Sequence, residues 1–225
     1  FITEREDMPV DVDYLLSDEY AEKRAALIGD EALQPEAMEL PRGGTVYLAT
    51  ADADGNMVSY IQSNYMGFGS GVVIPGTGIS LQNRGADFSL DEAAPNALKP
   101  GKRTYHTIIP GFLTKDNEAI GPFGVMGGYM QPQGHFQVVS HMVDFGLNPQ
   151  AALDMPRWQW IGEKSIKVET DFPRYLVDEL AARGHKIDVT NDFGSFGRGQ
   201  IIWRLPSGVY VAGTESRTDG QVAAW

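Results

Sequence analysis

A threonine that follows two glycines is the arrangement in this sequence that is best suited to covalent chemistry. Gly43 and Gly44 precede Thr45, which begins a strand-like run at residues 45–52. A threonine hydroxyl is a weak nucleophile at neutral pH, but the α-amino group freed by cutting the preceding bond can serve as its base. The two glycines allow the tight backbone geometry that an N-to-O acyl shift requires. The same pattern is also typical of a structural threonine at the start of a strand, so both interpretations stay open at this point.

Two other patterns that could carry chemistry are better explained by structure. His135 and His141 lie six residues apart on a predicted helix, a spacing that does not place paired metal ligands on one face. The glycine-rich stretch at residues 67–78 has no P-loop lysine, so it indicates a turn-rich segment rather than a phosphate site. The chain also has no cysteine, which excludes disulfides and thiolate metal sites. None of these patterns indicates a metal site, and acyl transfer through Thr45 would imply neither a metal nor an organic cofactor.

The elements that must position Thr45 are short strands and amphipathic helices that occur in clusters. Residues 31–44, with two prolines and a Gly-Gly end, are interpreted as a mobile linker. Period-3.6 and period-2 patterns predict helices over residues 13–28, 134–146 and 172–184, and strands over residues 45–52, 57–65, 200–205 and 208–213, with two more inside 106–128. Strand–helix–strand alternation is rare in this order, which favours an α+β fold.

Composition narrows the classes of partner. The chain has 225 residues, of which 42% are hydrophobic and 21% charged, so it is long enough for one large domain or two small ones. Its net charge of −12 disfavours nucleic acid, which requires a basic surface. No apolar run approaches the roughly 20 residues of a membrane helix, so no membrane partner is expected. Because the chain begins with Phe1, we interpret it as a piece whose upstream part is missing, and its compartment stays open.

An ordered series of short motifs extends over nearly the whole sequence. The motifs are TVY at 45–47, DADGN at 52–56, FGSG at 68–71, NRGADFS at 83–89, KRTYHTIIP at 102–110, VMGG at 125–128, LDMPR at 153–157 and the ending from Gly213 to Arg217. This series resembles the small-subunit region of the gamma-glutamyltranspeptidases, which are N-terminal-nucleophile hydrolases. The resemblance implies that residues 1–44 are the large-subunit tail and linker, and that residues 45–225 are the small catalytic subunit.

The resemblance also implies a role for individual residues. Thr45 matches the catalytic threonine that autocleavage of the Gly44–Thr45 bond sets free. Ser63 stands where the family has a second threonine, whose hydroxyl bonds to the nucleophile. Gly127 and Gly128 match paired glycines whose N–H groups stabilise the tetrahedral oxyanion, a kind of donor worth on the order of 10²–10³ in rate. Asp87 matches the acid that holds the α-ammonium group of the substrate.

Three departures from the transpeptidase pattern concern the amino-acid end of the pocket. Tyr65 stands where the transpeptidases have asparagine, and Arg84 stands where they have glutamine or glutamate. His106 and Thr107 replace the pair of serines that holds the substrate α-carboxylate. These replacements resemble the acylase-like branch of the family, which includes the class IV cephalosporin acylases.

The resemblance implies that this chain supplies about half of a four-layer αββα sandwich. The predicted reaction is acyl transfer from a small-molecule γ-glutamyl or glutaryl amide to water or an amine. The expected protein partner is the large subunit of the same precursor, and without it the uncovered sheet face is expected to drive self-association. Two alternatives stay open: a glutaryl- or cephalosporin-type acylase with little transfer activity, and a catalytically silent precursor fragment.

Overall fold

The computed structural model describes residues 3–33 and 43–225. Most of the linker predicted at residues 31–44 lies outside the described residues. The strands are β1 (Gly43–Ala51), β2 (Met57–Met66), β3 (Val73–Ile74), β4 (Ile79–Ser80), β5 (Gly111–Lys115), β6 (Glu118–Met126), β7 (Trp158–Gly162), β8 (Ser165–Glu169), β9 (Lys186–Thr190), β10 (Arg198–Arg204) and β11 (Tyr210–Thr214). The helices are α1 (Val12–Leu15), α2 (Asp18–Ala25), α3 (Met130–Val143), α4 (Pro149–Asp154) and α5 (Arg174–Ala182). The mixed helix and strand content agrees with the predicted class, whereas the four-layer sandwich stays a prediction.

The described residues form two compact units. The first unit is the described part of Phe1–Ala32 together with Asn64–Thr107, and the second is the described part of Leu33–Ser63 together with Ile108–Trp225. The domain boundary predicted between residues 44 and 45 is a predicted cleavage point, and it does not coincide with the division between these two units. It stays a prediction. None of the helices in residues 3–33 and 43–225 is long and apolar enough to cross a bilayer.

The first unit begins with two short helices where the sequence pattern predicts one helix over residues 13–28. That prediction is wrong because the chain leaves the helical conformation at Ser17, between α1 and α2. Ser17 has extended backbone angles, and its hydroxyl accepts a hydrogen bond from the amide of Tyr20 at 3.2 Å. Serine is a preferred N-cap residue. It therefore starts a second helix instead of continuing the first.

The remainder of the first unit is dominated by turns. Strands β3 and β4 form a short antiparallel hairpin, and Arg84–Asp87 form a 3-10 turn. The glycine-rich stretch is turn-rich, as predicted, and Gly69 shows why glycine is required there. Its φ is 73°, and a Cβ atom would lie 2.3 Å from the carbonyl oxygen of Leu81.

A four-stranded antiparallel sheet forms the centre of the second unit. Its strand order is β11-β10-β6-β5, and α3 and α4 pack against it. Asp116 and Asn117 both have positive φ at the β5–β6 turn, the conformation that a tight hairpin favours. The core between the sheet and the helices comprises Phe123, Val125, Val138, Met142, Ala152, Leu153 and Ile201.

The strands β1 and β2 form a separate two-stranded sheet. It contacts the central sheet through Tyr47, whose ring occupies the space that a side chain on Gly124 would fill, 2.5 Å from an ideal Cβ. The Tyr47 hydroxyl lies 2.7 Å from Ser59 Oγ, which donates to the carbonyl oxygen of Gly111 at 2.7 Å. Because the serine proton is used in the second bond, Tyr47 donates in the first.

A three-stranded sheet completes the second unit, in the order β7-β8-β9. Strands β7 and β8 form an antiparallel hairpin, and β8 and β9 are parallel and joined through α5. Helix α4 and these three strands were not among the sequence-based predictions. The β8–α5–β9 segment is a strand–helix–strand unit within a chain where such alternation is rare.

Two glutamines of α3 hydrogen-bond to the outer edge of β7. Gln133 accepts from the amide of Trp160 at 2.7 Å and donates to its carbonyl oxygen at 3.2 Å. Gln137 makes the same pair of bonds with Trp158, at 3.2 and 2.9 Å. Residues four apart lie on one face of a helix, so the two amides bond to alternate residues of one strand edge. These bonds fix α3 against β7.

Candidate active site

Thr45 is the third residue of β1 and belongs to the second unit. It is half-buried, Val46 is exposed and Tyr47 is buried, so Thr45 and Tyr47 share a face of the strand. Burial raises the pKa of Tyr47 to about 12, against the opposing effect of its hydrogen bond with Ser59. A neutral, hydrogen-bonded phenol therefore anchors the strand two residues from the candidate nucleophile.

Gly127 and Gly128 connect β6 to α3. Their φ angles are 143° and 60°, and their carbonyl oxygens accept from the amides of Met130 and Gln131 at 3.1 Å each. A Cβ on Gly127 would lie 2.8 Å from the Cα of Gly197, whereas a Cβ on Gly128 would meet open space. Glycine is thus required at position 127 by both packing and conformation, and at position 128 by conformation alone. The backbone between β6 and α3 therefore has positive φ angles that residues with a Cβ atom adopt only with strain.

Four charged side chains behind the glycine turn form a buried network. Arg157 Nη2 donates to Glu215 Oε2 at 2.7 Å, and Arg217 Nη1 donates to Glu215 Oε1 at 2.6 Å. Glu169 accepts from the Arg217 guanidinium and from the backbone amide of Arg157. The side chains of Arg157 and Glu215 are 1% and 0% exposed. Opposite charges alternate in this network, so each buried charge is compensated.

Both arginines of the network respond to burial and to the glutamates. Burial lowers the pKa of Arg157, and the charge of Glu215 opposes that effect. Burial also acts to lower the pKa of Arg217, but its hydrogen bonds to Glu169 and Glu215 outweigh it, so the pKa of Arg217 is raised. The glutamates therefore favour the charged form of both guanidinium groups, against the effect of burial.

The buried network extends to the segment that contacts Gly127. Arg157 Nη1 donates to the carbonyl oxygens of Phe196 and Gly197, at 2.9 and 3.1 Å. The amide of Gly199 donates to Glu215 Oε2 at 2.8 Å. These bonds fix the backbone of residues 196–199, and Gly197 in turn packs on Gly127. The shape of the glycine turn thus depends on charged side chains that are distant in sequence.

The first unit contains a second polar cluster. The Tyr65 hydroxyl donates to Asp87 Oδ1 at 2.7 Å, and Arg84 Nε donates to Thr107 Oγ1 at 2.8 Å. The Arg84 guanidinium lies 5.5 Å from the centre of the Tyr65 ring, within cation–π range. Arg84 is 5% exposed, and Tyr65 has a φ of 75°. A bulky residue in that conformation is strained and is frequently found at functional sites.

The electrostatics of this cluster follow from a buried cation beside a carboxylate. Burial lowers the pKa of Arg84, and the negative charge of Asp87 opposes the effect. Partial desolvation lowers the pKa of His106, and the positive charge of Arg84 lowers it further. Burial raises the pKa of Tyr105, and Asp87 adds to this rise. The cluster therefore places the buried Arg84 guanidinium and the Asp87 carboxyl group beside two rings, His106 and Tyr105, whose neutral forms are favoured.

The site residues predicted from the sequence divide between the two units. The second unit contains the residues predicted for bond making: Thr45, Ser63, Gly127 and Gly128. The first unit contains those predicted for substrate binding: Tyr65, Arg84, Asp87, His106 and Thr107. Among the described residues, no group of three or more His, Cys, Asp or Glu side chains is placed to bind a metal ion. The assigned roles stay predictions.

Comparison with known proteins identifies the family. A family model described as gamma-glutamyltranspeptidase matches residues 1–225. The chain belongs to the gamma-glutamyltranspeptidase family. This membership confirms the resemblance inferred from the ordered motifs.

Two curated family members illustrate the range of relatives. The glutathione hydrolase-like YwrD proenzyme of Bacillus subtilis (strain 168) is 39% identical over 218 residues, covering 94% of this chain and 41% of that protein. The oxamate amidohydrolase proenzyme of Klebsiella pneumoniae is 36% identical over 230 residues, covering 100% of this chain and 44% of that protein. The chain therefore spans less than half the length of these gamma-glutamyltranspeptidase relatives.

A solved structure in the family is similar over the entire chain. The crystal structure of cephalosporin acylase from Bacillus halodurans superposes with a TM-score of 0.91 at 66% identity, covering 100% of this chain and 41% of that one. This similarity confirms the acylase-like branch inferred from Tyr65, Arg84 and His106-Thr107.

The buried charge network was not predicted from the sequence. The motifs that contain Arg157 and Arg217 were noticed as family motifs, but neither residue was assigned a role. The available signal was an arginine at the end of an apolar stretch, LDMPR, together with a second arginine near the end of the chain. Buried arginines need carboxylate partners, yet the sequence does not indicate that Glu169 and Glu215 are those partners.

Proposed function

We propose that this protein is an amide hydrolase of the N-terminal-nucleophile type, with Thr45 as its nucleophile after cleavage of the Gly44–Thr45 bond. The observation that carries the proposal is membership of the gamma-glutamyltranspeptidase family, combined with the position of Thr45 as the third residue of β1, directly after Gly43 and Gly44. The named relatives are proenzymes, which supports a chain that is cut to become active. The partner would be the large-subunit portion of the same precursor.

The proposed reaction has two steps. Thr45 Oγ attacks the amide carbonyl while the freed α-amino group accepts the hydroxyl proton, which it then delivers to the departing amine. The N–H groups of Gly127 and Gly128 would stabilise the negative charge that develops on the carbonyl oxygen. Ser63 would hydrogen-bond to the nucleophile. Water then hydrolyses the Thr45 ester and releases the acid.

The polar cluster of the first unit favours an acyl group that carries a carboxylate and lacks an α-amino group. Asp87, which would hold an ammonium group, already accepts a hydrogen bond from Tyr65. The nearby Arg84 would repel an ammonium group and attract a carboxylate. His106 and Thr107 replace the serines expected to hold an α-carboxylate. A glutaryl-type amide fits these features better than a zwitterionic γ-glutamyl donor.

A γ-glutamyl amide is the second candidate substrate class. The relative named glutathione hydrolase-like YwrD proenzyme favours it. Relatives named for oxamate and for cephalosporin favour an acyl group outside the amino acids. Because Asp87 is present, an ammonium group would still find one carboxylate in the cluster. The two classes differ by a single charged group, so a direct comparison separates them.

The test compares γ-glutamyl-p-nitroanilide with glutaryl-p-nitroanilide, each with and without glycylglycine as acceptor. We expect glutaryl hydrolysis to be the faster reaction and glycylglycine to accelerate neither substrate by much. A preference for the γ-glutamyl donor of about a thousandfold would contradict the substrate class and leave the Thr45 mechanism standing. Intact mass of the protein tests the silent-precursor alternative, since an uncut chain without turnover supports that alternative and a species starting at Thr45 opposes it.

A further inference from the structure

Residues 3–7, here called the upstream strap, contact an irregular loop of the same unit. The central contact is between Lys102 and Asp7, whose Nζ and Oδ2 atoms lie 2.6 Å apart. Lys102 also donates to the carbonyl oxygen of Pro95 at 2.6 Å, and its side chain is only 4% exposed. A buried ammonium group requires such partners. Among the described residues, Asp7 of the strap is therefore the carboxylate that forms an ion pair with Lys102.

A hydrogen-bonded path leads from the upstream strap to Asp87. Thr3 Oγ1 donates to Asn96 Oδ1 at 3.3 Å. The amide nitrogen of Asn96 donates to the backbone oxygen of Asp87 at 2.9 Å and to Thr104 Oγ1 at 3.0 Å. One asparagine side chain thus joins the strap to both ends of the loop. Asp87 is the residue predicted to face the substrate.

The loop has little regular structure of its own to define its shape. Residues 88–107, all of them described, contain neither helix nor strand, and a single bridge joins Ser89 to Ala97. Its local backbone bonds include Ser89 N to Asn96 O at 2.9 Å and Leu98 N to Ser89 O at 3.0 Å. A second ion pair with the strap, between Arg103 and Glu4 at 3.3 Å, lies at the surface. Contacts with the strap are therefore a substantial part of what orders this loop.

We propose that the upstream strap positions the Asp87 loop for substrate binding, with Asp7, Lys102 and Asn96 as the positioning residues. The proposal rests on the proposed function, because it assumes that Asp87 faces the substrate and that the chain is cut at Gly44–Thr45. The strap lies upstream of that bond, so after cleavage one polypeptide would hold the substrate-binding loop of the other. Cleavage would separate the chains covalently and leave this clamp intact.

The proposal predicts an effect on substrate binding rather than on bond making. Thr45, Gly127 and Gly128 are held by contacts within the second unit, to which the strap does not belong. Loosening the loop would displace Asp87 and weaken ground-state binding, which raises KM and leaves kcat nearly unchanged. A general loss of folded protein would instead lower the active fraction, and with it the apparent kcat.

The experiment uses Asp7→Asn in the protein at its full natural length, with Asp7→Glu as the conservative rescue. We expect KM for γ-glutamyl-p-nitroanilide, whose ammonium group Asp87 would hold, to rise roughly tenfold in Asp7→Asn, because a charged hydrogen bond is lost, with kcat within about twofold. Asp7→Glu should restore most of the binding. Lys102→Gln should give a similar rise in KM, and the double variant should add little, because both changes remove the same contact.

Arg5→Gln is the matched control, since Arg5 lies in the strap but pairs with Asp13 in an exposed contact. Hydrogen exchange at the amides of Ser89 and Leu98 should accelerate in Asp7→Asn and not in the control. If KM and exchange in Asp7→Asn both match Arg5→Gln, or if kcat alone falls, the positioning role is overturned. Should the wild-type protein hydrolyse no amide, accelerated exchange would support the clamp and the failure would fall on the proposed function.

Discussion

The two clusters of buried charge in this protein are built in different ways. In the second unit, Arg157 and Glu215 belong to a four-residue network in which each charge has several partners, located at the ends of regular elements. In the first unit, Arg84 lies beside Asp87 and over the Tyr65 ring, on a 3-10 turn and an irregular loop. The first arrangement is stabilised from many directions, whereas the second depends on a few contacts.

We interpret this difference as a division between the residues proposed for bond making and those proposed for substrate recognition. The predicted nucleophile and the glycine pair lie in the second unit, and the departures from the transpeptidase pattern, Tyr65, Arg84 and His106-Thr107, lie in the first. Loops tolerate change because fewer contacts depend on them. We therefore expect the chemistry of this family to be kept by the network of the second unit, and its substrate preference to change through the loop of the first. Four predictions test that division.

The largest effect is expected from Thr45→Ala. Removing the hydroxyl eliminates both the group that would cut the Gly44–Thr45 bond and the group that would attack the substrate, so turnover should fall on the order of 10⁶-fold. Thr50→Ala, an exposed position on the same strand, is the control and should retain activity. Intact mass and initial rates provide the measurement. Self-cleavage at the wild-type rate in Thr45→Ala would contradict the assignment.

Breaking the buried network should cost the second unit much of its stability. Glu215→Gln leaves Arg157 buried without its carboxylate, so the free energy of unfolding should fall by about 3–5 kcal/mol. Arg174→Gln removes an exposed ion pair with Asp178 and should have little effect. Urea unfolding followed by tryptophan fluorescence measures both variants. A loss in Glu215→Gln no larger than in Arg174→Gln would mean that the network does not support the fold.

A smaller, pH-dependent effect is expected from His135. Burial lowers the pKa of His135 from its ordinary value of 6.5 to about 4, and its ring packs edge-on against Phe123. The unfolded chain therefore takes up the proton first as the pH falls, and stability is lost between about pH 6.5 and 4, by up to about 3 kcal/mol.

His135→Leu removes this titration and should flatten the pH dependence of unfolding in that interval. The measurement is urea unfolding at a series of pH values from 7 down to 4. Phe136, an exposed and non-titrating residue of the same helix, gives the control variant Phe136→Leu, which should keep the wild-type slope. Equal slopes in wild type and His135→Leu would contradict the burial argument.

The smallest expected effect is a change in substrate preference when two residues of the first-unit cluster are replaced. Tyr65→Asn combined with Arg84→Gln removes the hydroxyl bonded to Asp87 and the nearby cation, so preference should shift toward γ-glutamyl donors by roughly tenfold or more. Arg24→Gln, an exposed arginine of α2 in the same unit, is the control. The ratio of kcat/KM for γ-glutamyl and glutaryl anilides gives the result. An unchanged ratio would show that recognition is not determined by these residues.

The sequence predicted the parts of the fold that depend on local pattern. The β5–β6 hairpin, the helix over residues 134–146, observed at Met130–Val143, and the final two strands were predicted because period-2 and period-3.6 patterns flank clear turn residues. The single helix over residues 13–28 was wrong because capping by Ser17 outweighed the apolar period. The β7–β8 hairpin was missed because its tight turn at Glu163-Lys164 contains neither glycine nor asparagine, although Glu163 has a positive φ.

For the candidate site, family motifs indicated residues but not their contacts. Arg84 and Asp87 were expected in the pocket, whereas the bond from Tyr65 to Asp87 could not be foreseen, since it depends on a positive φ at Tyr65. The partnership of Arg157 with Glu215 joins residues 58 positions apart. Such pairs result from the folded topology, and no local period indicates them.

The glutamine pair on α3 has a consequence for chemical damage by deamidation and for association between molecules. Gln133 and Gln137 act as a surrogate neighbouring strand, offering an amide donor and an acceptor to alternate residues of β7. Deamidation of either would replace the donor with a second acceptor facing a carbonyl oxygen, an arrangement that repels. The edge of β7 would then be open to pairing with a strand of another molecule. The two carboxamide groups therefore protect the β7 edge from pairing with a strand of another molecule.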